Sequence, residues 1–466
     1  MKKNITYSIL VTFMVFCVVV VGNYLFSDEV SNRETQSSSK KKWLDKRELE
    51  LGQAKDKTDK VTDEPSALFN DPAIKQAWGL KKSDAARAWS VTQGSSKTVV
   101  AVIDTGIDEF HEDLKSNLWI NPGESGTDEK GHDKASNGID DDGNGFVDDV
   151  HGWNFVSNNN HLDDNHGHGT HIAGIIGAEA GNGKGISGIS PKVSLMVLKY
   201  FDPKVPNTDN LKNTIAAINY AVKMGAHVIN YSGGGTDYSQ EEHDAVASAD
   251  AKGILFVAAA GNERSNSDQH HYYPADYNLK NIISVTAIDP TTEVLSSSNY
   301  GINTVDIAAP GQNILSCLPH NSYGLMTGTS QATAFVTGAA ALIMSHKNQY
   351  YNAADVKKYI LATGDTSNSL IAKTRTSRQL NLYKSLTILD SDTGFTGIVS
   401  AGVNKPFNSD ASNPDEHKND PNLQKITDVG NFARQLKATL SLEALPPKKK
   451  NAIRVAIPEE AVKDEQ

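Results

Sequence analysis

Gly328-Thr329-Ser330-Gln331-Ala332-Thr333-Ala334-Phe335-Val336-Thr337-Gly338 runs on through Ala339-Ala340-Ala341-Leu342-Ile343-Met344 without one charged residue. A helix that is apolar on every side belongs inside a large domain, not on its surface. The run predicts a central buried helix over residues 330–345, with the rest of the chain wrapped around it. Ser330 stands at its start behind a Gly-Thr turn, where the first N–H groups lack partners within the helix and the helix dipole is positive. Such a place suits a nucleophile that must form an oxyanion, and equally a plain N-cap serine. What meets Ser330 in space decides between the two.

Upstream of that helix, nearly continuous apolar runs at residues 99–103, 193–198, 226–231, 254–260 and 282–287 read as strands buried on both faces. Helical patterns at 169–178, 211–224 and 240–251 lie between them. Strand and helix in alternation give an α/β fold, a doubly wound and mainly parallel sheet with helices on both faces. In such sheets ligands bind beyond the carboxyl ends of the strands. A helix at 353–361 and a segment at 379–386 close the domain, which extends over residues 68–389.

The flanks differ in texture. Lys2 and Lys3 precede an apolar run from Ile9 to Phe26, the order of a secretory signal or a signal anchor, so residues 1–27 predict export and leave cleavage or membrane tethering open. Residues 28–67 are Ser-, Lys-, Glu- and Asp-rich, a polar linker or short pro-segment. Residues 390–466 form a polar, partly disordered extension. The chain has 466 residues and a formal net charge of -11, which with no basic aromatic stretch argues against a nucleic-acid partner. Cys17 and Cys317 are its two cysteines, so no disulfide forms within the folded domain.

Four glycine-flanked phrases carry chemistry. Val99-Val100-Ala101-Val102-Ile103 runs into Asp104-Thr105-Gly106, placing a carboxylate at the tip of a buried strand. Asn165-His166-Gly167-His168-Gly169-Thr170-His171 opens a small-residue helix with His168 at its start, where it can meet both Asp104 and Ser330. A zinc site at His168 and His171 would need two His four apart with a Glu beside the first, which this stretch lacks. Gly261-Asn262-Glu263 ends another buried strand, where Asn262 and the Ser330 N–H can face one oxyanion.

Asp-Thr-Gly at Asp104, His-Gly-Thr-His at His168, Ala-Gly-Asn at Asn262 and Gly-Thr-Ser-x-Ala at Ser330, in that chain order, resemble the subtilisin-like serine proteases, the subtilases. Ala334 departs from the family, which usually has Pro there. The resemblance implies a subtilisin-like fold and a serine endopeptidase acting through an acyl-enzyme intermediate. In it Ser330 attacks the peptide carbonyl, His168 carries the proton, Asp104 holds the imidazole and Asn262 stabilises the oxyanion. It implies protein or peptide substrates, a monomer, and a peptide-binding edge at Ser232, Gly233, Gly234, Ala259 and Gly261, with an open or mobile wall at Gly233. Two readings from other classes stand beside it. One is an aspartic protease built on Asp104 and Asp392-Thr393-Gly394; the other is a degenerate subtilase that only binds.

Calcium is the expected cofactor. Between the Asp104 and His168 phrases, residues 137–149 crowd carboxylates whose repulsion calls for a counter-ion, and Asp140, Asp142 and Asn144 alternate as in an EF-hand loop, though with Gly138 at position one and an Asp at the close; Asp148 is a further candidate ligand. A solvated acidic insertion is the plainer reading. By resemblance alone, Asp71, Asp113 and Asn182 match positions where subtilases hold calcium.

Overall fold

The computed structural model describes residues 70–346 and 352–387. These belong to the first of the chain's two units, Met1–Phe395. The expected signal or anchor, the linker, the polar extension and Asp392 lie outside them. No helix among the described residues is long and apolar enough to cross a membrane.

In chain order the elements are α1 (Trp78–Lys82), α2 (Ala85–Val91), β1 (Gly94–Asp104), β2 (Gly152–Asn154), α3 (His168–Gly177), β3 (Lys192–Lys199), α4 (Asn210–Lys223), β4 (Val228–Tyr231), α5 (Gln240–Ala251), β5 (Leu255–Ala259), β6 (Ile282–Ile288), β7 (Ile307–Pro310), β8 (Ile314–Leu318), β9 (Ser322–Met326), α6 (Thr329–Ser345), α7 (Ala353–Thr363), β10 (Asp365–Thr366), β11 (Arg378–Gln379) and α8 (Leu382–Thr387). The main sheet has nine strands in the order β10-β11-β7-β6-β5-β4-β1-β3-β2, parallel except where β10 meets β11. From β1 the chain goes to the edge strand β2 and back to β3 on one side, then crosses to β4 and moves outward through β5, β6 and β7 on the other. That makes β1 the switch point, the place where an open α/β sheet leaves a crevice.

Side chains alternate across a strand, so one strand can feed two cores. Val100 and Val102 of β1 join the cluster containing Ile172 and Ile176 of α3 and Val336, Ala340 and Leu342 of α6. Ala101 and Ile103 join the opposite cluster, with Ala217 and Ile218 of α4 and Ala245 and Val246 of α5. Both faces are thereby covered, which is why residues 99–103 of β1 are all apolar. Helix α6 is buried from Thr329 to Ile343, and it runs unbroken through Ala334. Two of its buried threonines are satisfied within the fold: Thr337 Oγ1 donates to Asn230 Oδ1 at 2.8 Å, and Thr333 Oγ1 to the Thr329 carbonyl at 2.8 Å.

The structure extends the sequence reading at several points. Strand β1 begins at Gly94, five residues early, through a pairing with Lys192 that becomes irregular before Val99; the exposed Ser96 and Lys97 hide it from any hydropathy pattern. Strands β8 and β9 form a separate antiparallel pair, and the segment 379–386 divides into the end of β11 and α8. Strands β2, β10 and β11, of two or three residues, are too short to show a period.

Candidate active site

Asp104 ends β1 at the switch point, paired across to Lys199 on β3. It is buried at 3% exposure. Its Oδ1 accepts the Thr105 N–H at 2.8 Å and meets His168 Nδ1 at 2.7 Å. That short contact brings the strand tip and the start of α3 together. Gly169 permits it: a Cβ there would stand 2.1 Å from the Gly106 carbonyl oxygen and 3.2 Å from Asp104 Cβ. A side chain at this position would therefore push α3, and His168 with it, off the carboxylate.

Asp164, a residue the sequence patterns did not single out, fixes the turn leading into α3. Its Oδ1 accepts from Thr105 Oγ1 at 2.8 Å and from the backbone N–H groups of His166 and Gly167 at 3.0 and 2.7 Å. Its Oδ2 accepts from the Thr170 N–H at 2.8 Å and the Thr170 hydroxyl at 2.7 Å. One carboxylate thus ties together the turn before α3, the Thr170 N–H in the first turn of α3 and the residue after Asp104. Burial of His168 opposes its charged form, but the Asp104 carboxylate outweighs that through its charge and hydrogen bond, with Asp164 adding, and the imidazole is held above its ordinary pKa.

His171 belongs elsewhere. Its Nε2 faces the carbonyls of Ile314 and Gly324 at 3.0 and 3.2 Å. Burial, then the neighbouring His168 charge, pushes its pKa down to about 3. It is a neutral group tying α3 to β8 and β9, turned away from any metal shared with His168.

At the start of α6, Ser330 Oγ donates to the Ser232 carbonyl at 3.2 Å. Asn262 turns its Oδ1 to the Thr329 N–H at 3.0 Å and the Thr329 hydroxyl at 3.2 Å. The same amide's NH2 has no hydrogen-bond partner among the described residues, and the side chain is exposed. One end of the amide is anchored and the other presents two donors to the cleft beside Ser330.

Ser232, Gly233, Gly234, Ala259 and Gly261 lie after the ends of β4 and β5 or at them. The gap expected at Gly233 is filled: the Tyr200 hydroxyl stands 2.4 Å from where its Cβ would be, and the Tyr231 hydroxyl 2.9 Å. Tyr272, also unmarked by any motif, lies against both glycine segments. Its Cε1 is 2.5 Å from the Cβ position of Gly234 and its Cδ2 is 3.0 Å from that of Gly261. The ring occupies the space between the two segments, and only a structure could reveal that because Tyr272 stands far from either in sequence.

The expected calcium ligands fall in two places. Asp71 and Asp113, both buried, meet the loop that contains Asn182. Asp71 accepts from the N–H groups of Gly181 and Gly183 and from Ser187 Oγ at 2.8, 3.1 and 2.6 Å; Asp113 accepts from Asn182 Nδ2, the Ile186 N–H and the Tyr323 hydroxyl at 2.9, 3.0 and 2.9 Å. Burial raises both carboxyl pKa values, against those hydrogen bonds. The acidic loop is arranged differently from the alternating pattern. Asp140 turns to the N–H groups of Asn144 and Gly145 at 3.0 and 2.7 Å, and Asp148 to the Gly138 N–H at 3.1 Å. Asn144 uses its Nδ2 as a donor to Asp142 and Asp149. Of the four expected ligands, Asp142 alone joins a carboxylate cluster, with Glu124 and Asp149.

Comparison with known proteins follows the same lines. Residues 95–385 match the model of the subtilase family. The chain is 36% identical over 278 residues to a thermophilic serine proteinase of Bacillus sp. (strain AK1), covering 60% of this chain and 59% of that protein. It is 34% identical over 299 residues to thermitase of Thermoactinomyces vulgaris, covering 64% of this chain and 91% of thermitase. Among solved structures, a protease from Pseudoalteromonas arctica PAMC 21717 superposes with a TM-score of 0.55 at 23% identity, over 69% of this chain and 99% of that one, a likeness of fold.

Proposed function

The chain belongs to the subtilase family, the subtilisin-like serine endopeptidases, and from that premise we propose that it cleaves protein or peptide substrates through Asp104, His168 and Ser330. The observation that carries the reading is the 2.7 Å contact of His168 Nδ1 with Asp104 Oδ1 at the sheet's switch point. It holds Nδ1 as the protonated nitrogen, so Nε2 is the base. With substrate bound, the Ser330 hydroxyl leaves the Ser232 carbonyl and attacks the scissile carbonyl as its proton passes to Nε2. The oxyanion meets the Ser330 N–H and the Asn262 NH2, whose direction is set by the anchored Oδ1. His168 then returns its proton to the leaving amine, and water repeats the sequence on the acyl-enzyme.

An extended peptide would pair with residues 232–234. The Tyr272 ring leaves little depth there, so the side chain before the cleaved bond is small.

Subtilases commonly bind calcium, and the residues here suit a hard ion. Asp71 and Asp113 are buried carboxylates without a cationic partner among the described residues, gathered on the Asn182 loop. An ion there would cross-link that loop to the segment before α1, and one in the acidic loop would hold the insertion between β1 and β2. The Lys2-Lys3 and Ile9–Phe26 order supports export, with the segment cleaved or kept as a membrane tether, and we propose a monomer. N-terminal sequencing and size measurement of protein recovered outside the cytoplasm test this, and an intact chain found only inside would refute it.

Ser330→Ala tests the central reading. It removes the nucleophile and almost no volume, so peptide hydrolysis should fall about a millionfold, the scale known for subtilisin, while the melting curve stays in place. Hydrolysis at the original rate would remove Ser330 from the mechanism.

A further inference from the structure

Three carboxylates converge on the turn that precedes the acidic loop. One oxygen from each of Glu124, Asp142 and Asp149 lies within 4.8 Å of the others. Glu124 and Asp149 are fully buried, while Asp142 is exposed. Among the described residues no Lys, Arg or His pairs with any of the three. Their partners are neutral. Asn121 Nδ2 donates to Asp142 at 3.0 Å and to Asp149 at 2.7 Å, and Asn144 Nδ2 to the same two carboxylates at 3.2 and 2.9 Å. The Tyr220 hydroxyl donates to Asp149. Glu124 accepts the Asp141 N–H at 2.7 Å through Oε1. Its other oxygen, Oε2, is buried with no partner.

A buried carboxylate oxygen without a donor is costly, and costlier beside two more negative charges. A cation removes both penalties at once. The donors are all hard oxygens, which select calcium or magnesium over softer metals. Calcium accepts several carboxylate oxygens in flexible geometry, whereas magnesium demands a near-ideal octahedron and keeps several waters, so a site built from three protein carboxylates favours calcium.

We infer that Glu124, Asp142 and Asp149 form a calcium site, with exposed Asp142 on the side where the ion enters. This rests on the calcium reading of the acidic loop and replaces its ligand set: Asp140 and Asp148 spend their oxygens on backbone N–H groups and hold the loop's shape. The bound ion joins the turn at Glu124 to the acidic loop. Asn121 bonds through its N–H to the Val150 carbonyl at 2.8 Å, and Tyr220 lies on α4, so the site ties the insertion between β1 and β2 to the domain body.

Calcium chloride titrated calorimetrically into the EGTA-treated full chain, in a Ser330→Ala background to prevent self-digestion, tests the assignment. Glu124→Gln and Asp142→Asn are each expected to remove one calcium equivalent or weaken it at least tenfold. Each should also lose a melting shift of about 5 °C or more between saturating calcium and EGTA. Asp142 is exposed, so its variant folds even if the Glu124 variant does not. Asp140→Ala and Asp148→Ala should lower the melting temperature equally in both buffers and keep the binding step. Loss of the step in the Asp140 and Asp148 variants alone would overturn this ligand set and preserve the loop reading. Unchanged binding in all four would overturn both.

Discussion

The cleft at the tip of β1 and the cluster around Glu124 both depend on buried carboxylates, but different parts of the fold aim them. Asp104, His168 and Ser330 each sit at an end of a regular element, β1, α3 or α6, whose direction is set by many buried residues far from the site. In the cluster, turns do the aiming. Asp140, Asp148 and Asn144 are captured by N–H groups or carboxylates close in sequence, and the oxygens that converge come from Glu124, Asp142 and Asp149. Regular elements carry a side chain's placement over long distances; turns consume the nearest polar groups first.

That contrast predicts graded effects. Asn262 should behave as part of the rigid cleft, because its Oδ1 is fixed by Thr329 before substrate arrives. Asn262→Ala should lower kcat by about a hundred- to a thousandfold, the range known for one such donor in subtilisin, with little change in KM. A change confined to KM would make Asn262 a binding residue and blur the distinction between the two regions.

Tyr272 sharpens the comparison from the other side, since it belongs to the cleft yet is delivered by a loop. Tyr272→Gly should raise kcat/KM for a peptide with Phe before the cleaved bond, relative to one with Ala, by about tenfold or more. An unchanged ratio, with both peptides still cleaved, would mean that the ring does not limit the pocket. The calcium effect on melting is smaller in energy, about 2.7 kcal/mol for one ion at a hundredfold excess over its Kd. Among these variants its loss should be confined to those of the turn cluster, and the cleft variants should keep it.

Legibility in the sequence followed the same division. The central helix, five parallel strands and the four glycine-flanked phrases could be read because burial on both faces leaves long apolar runs, and a phrase at the end of such a run has one place to go. The gap expected at Gly233 was misjudged because the hydroxyl of Tyr200, from the end of β3, joins that of neighbouring Tyr231 in filling it. Asp164 was missed although it lies four residues before His168; its five hydrogen bonds reach Thr105, His166, Gly167 and Thr170, and no local pattern marks a carboxylate used that way. Glu124 stands in Asn-Pro-Gly-Glu, an ordinary turn sequence, with nothing to link it to residues 142 and 149.

The most direct measurement is the pH dependence of Ser330 modification by a fluorophosphonate, with the labelled residue identified by mass spectrometry. Only neutral His168 can accept the serine proton. Burial works against its protonation, but Asp104 and then Asp164 raise its pKa above the ordinary value, so more of it is protonated at any given acid pH. The labelling rate should therefore rise with pH through an apparent pKa above about 6.5, with all label on Ser330 and none in Ser330→Ala. A rate that stays level from neutrality down to about pH 4, or label on another residue, would contradict the triad.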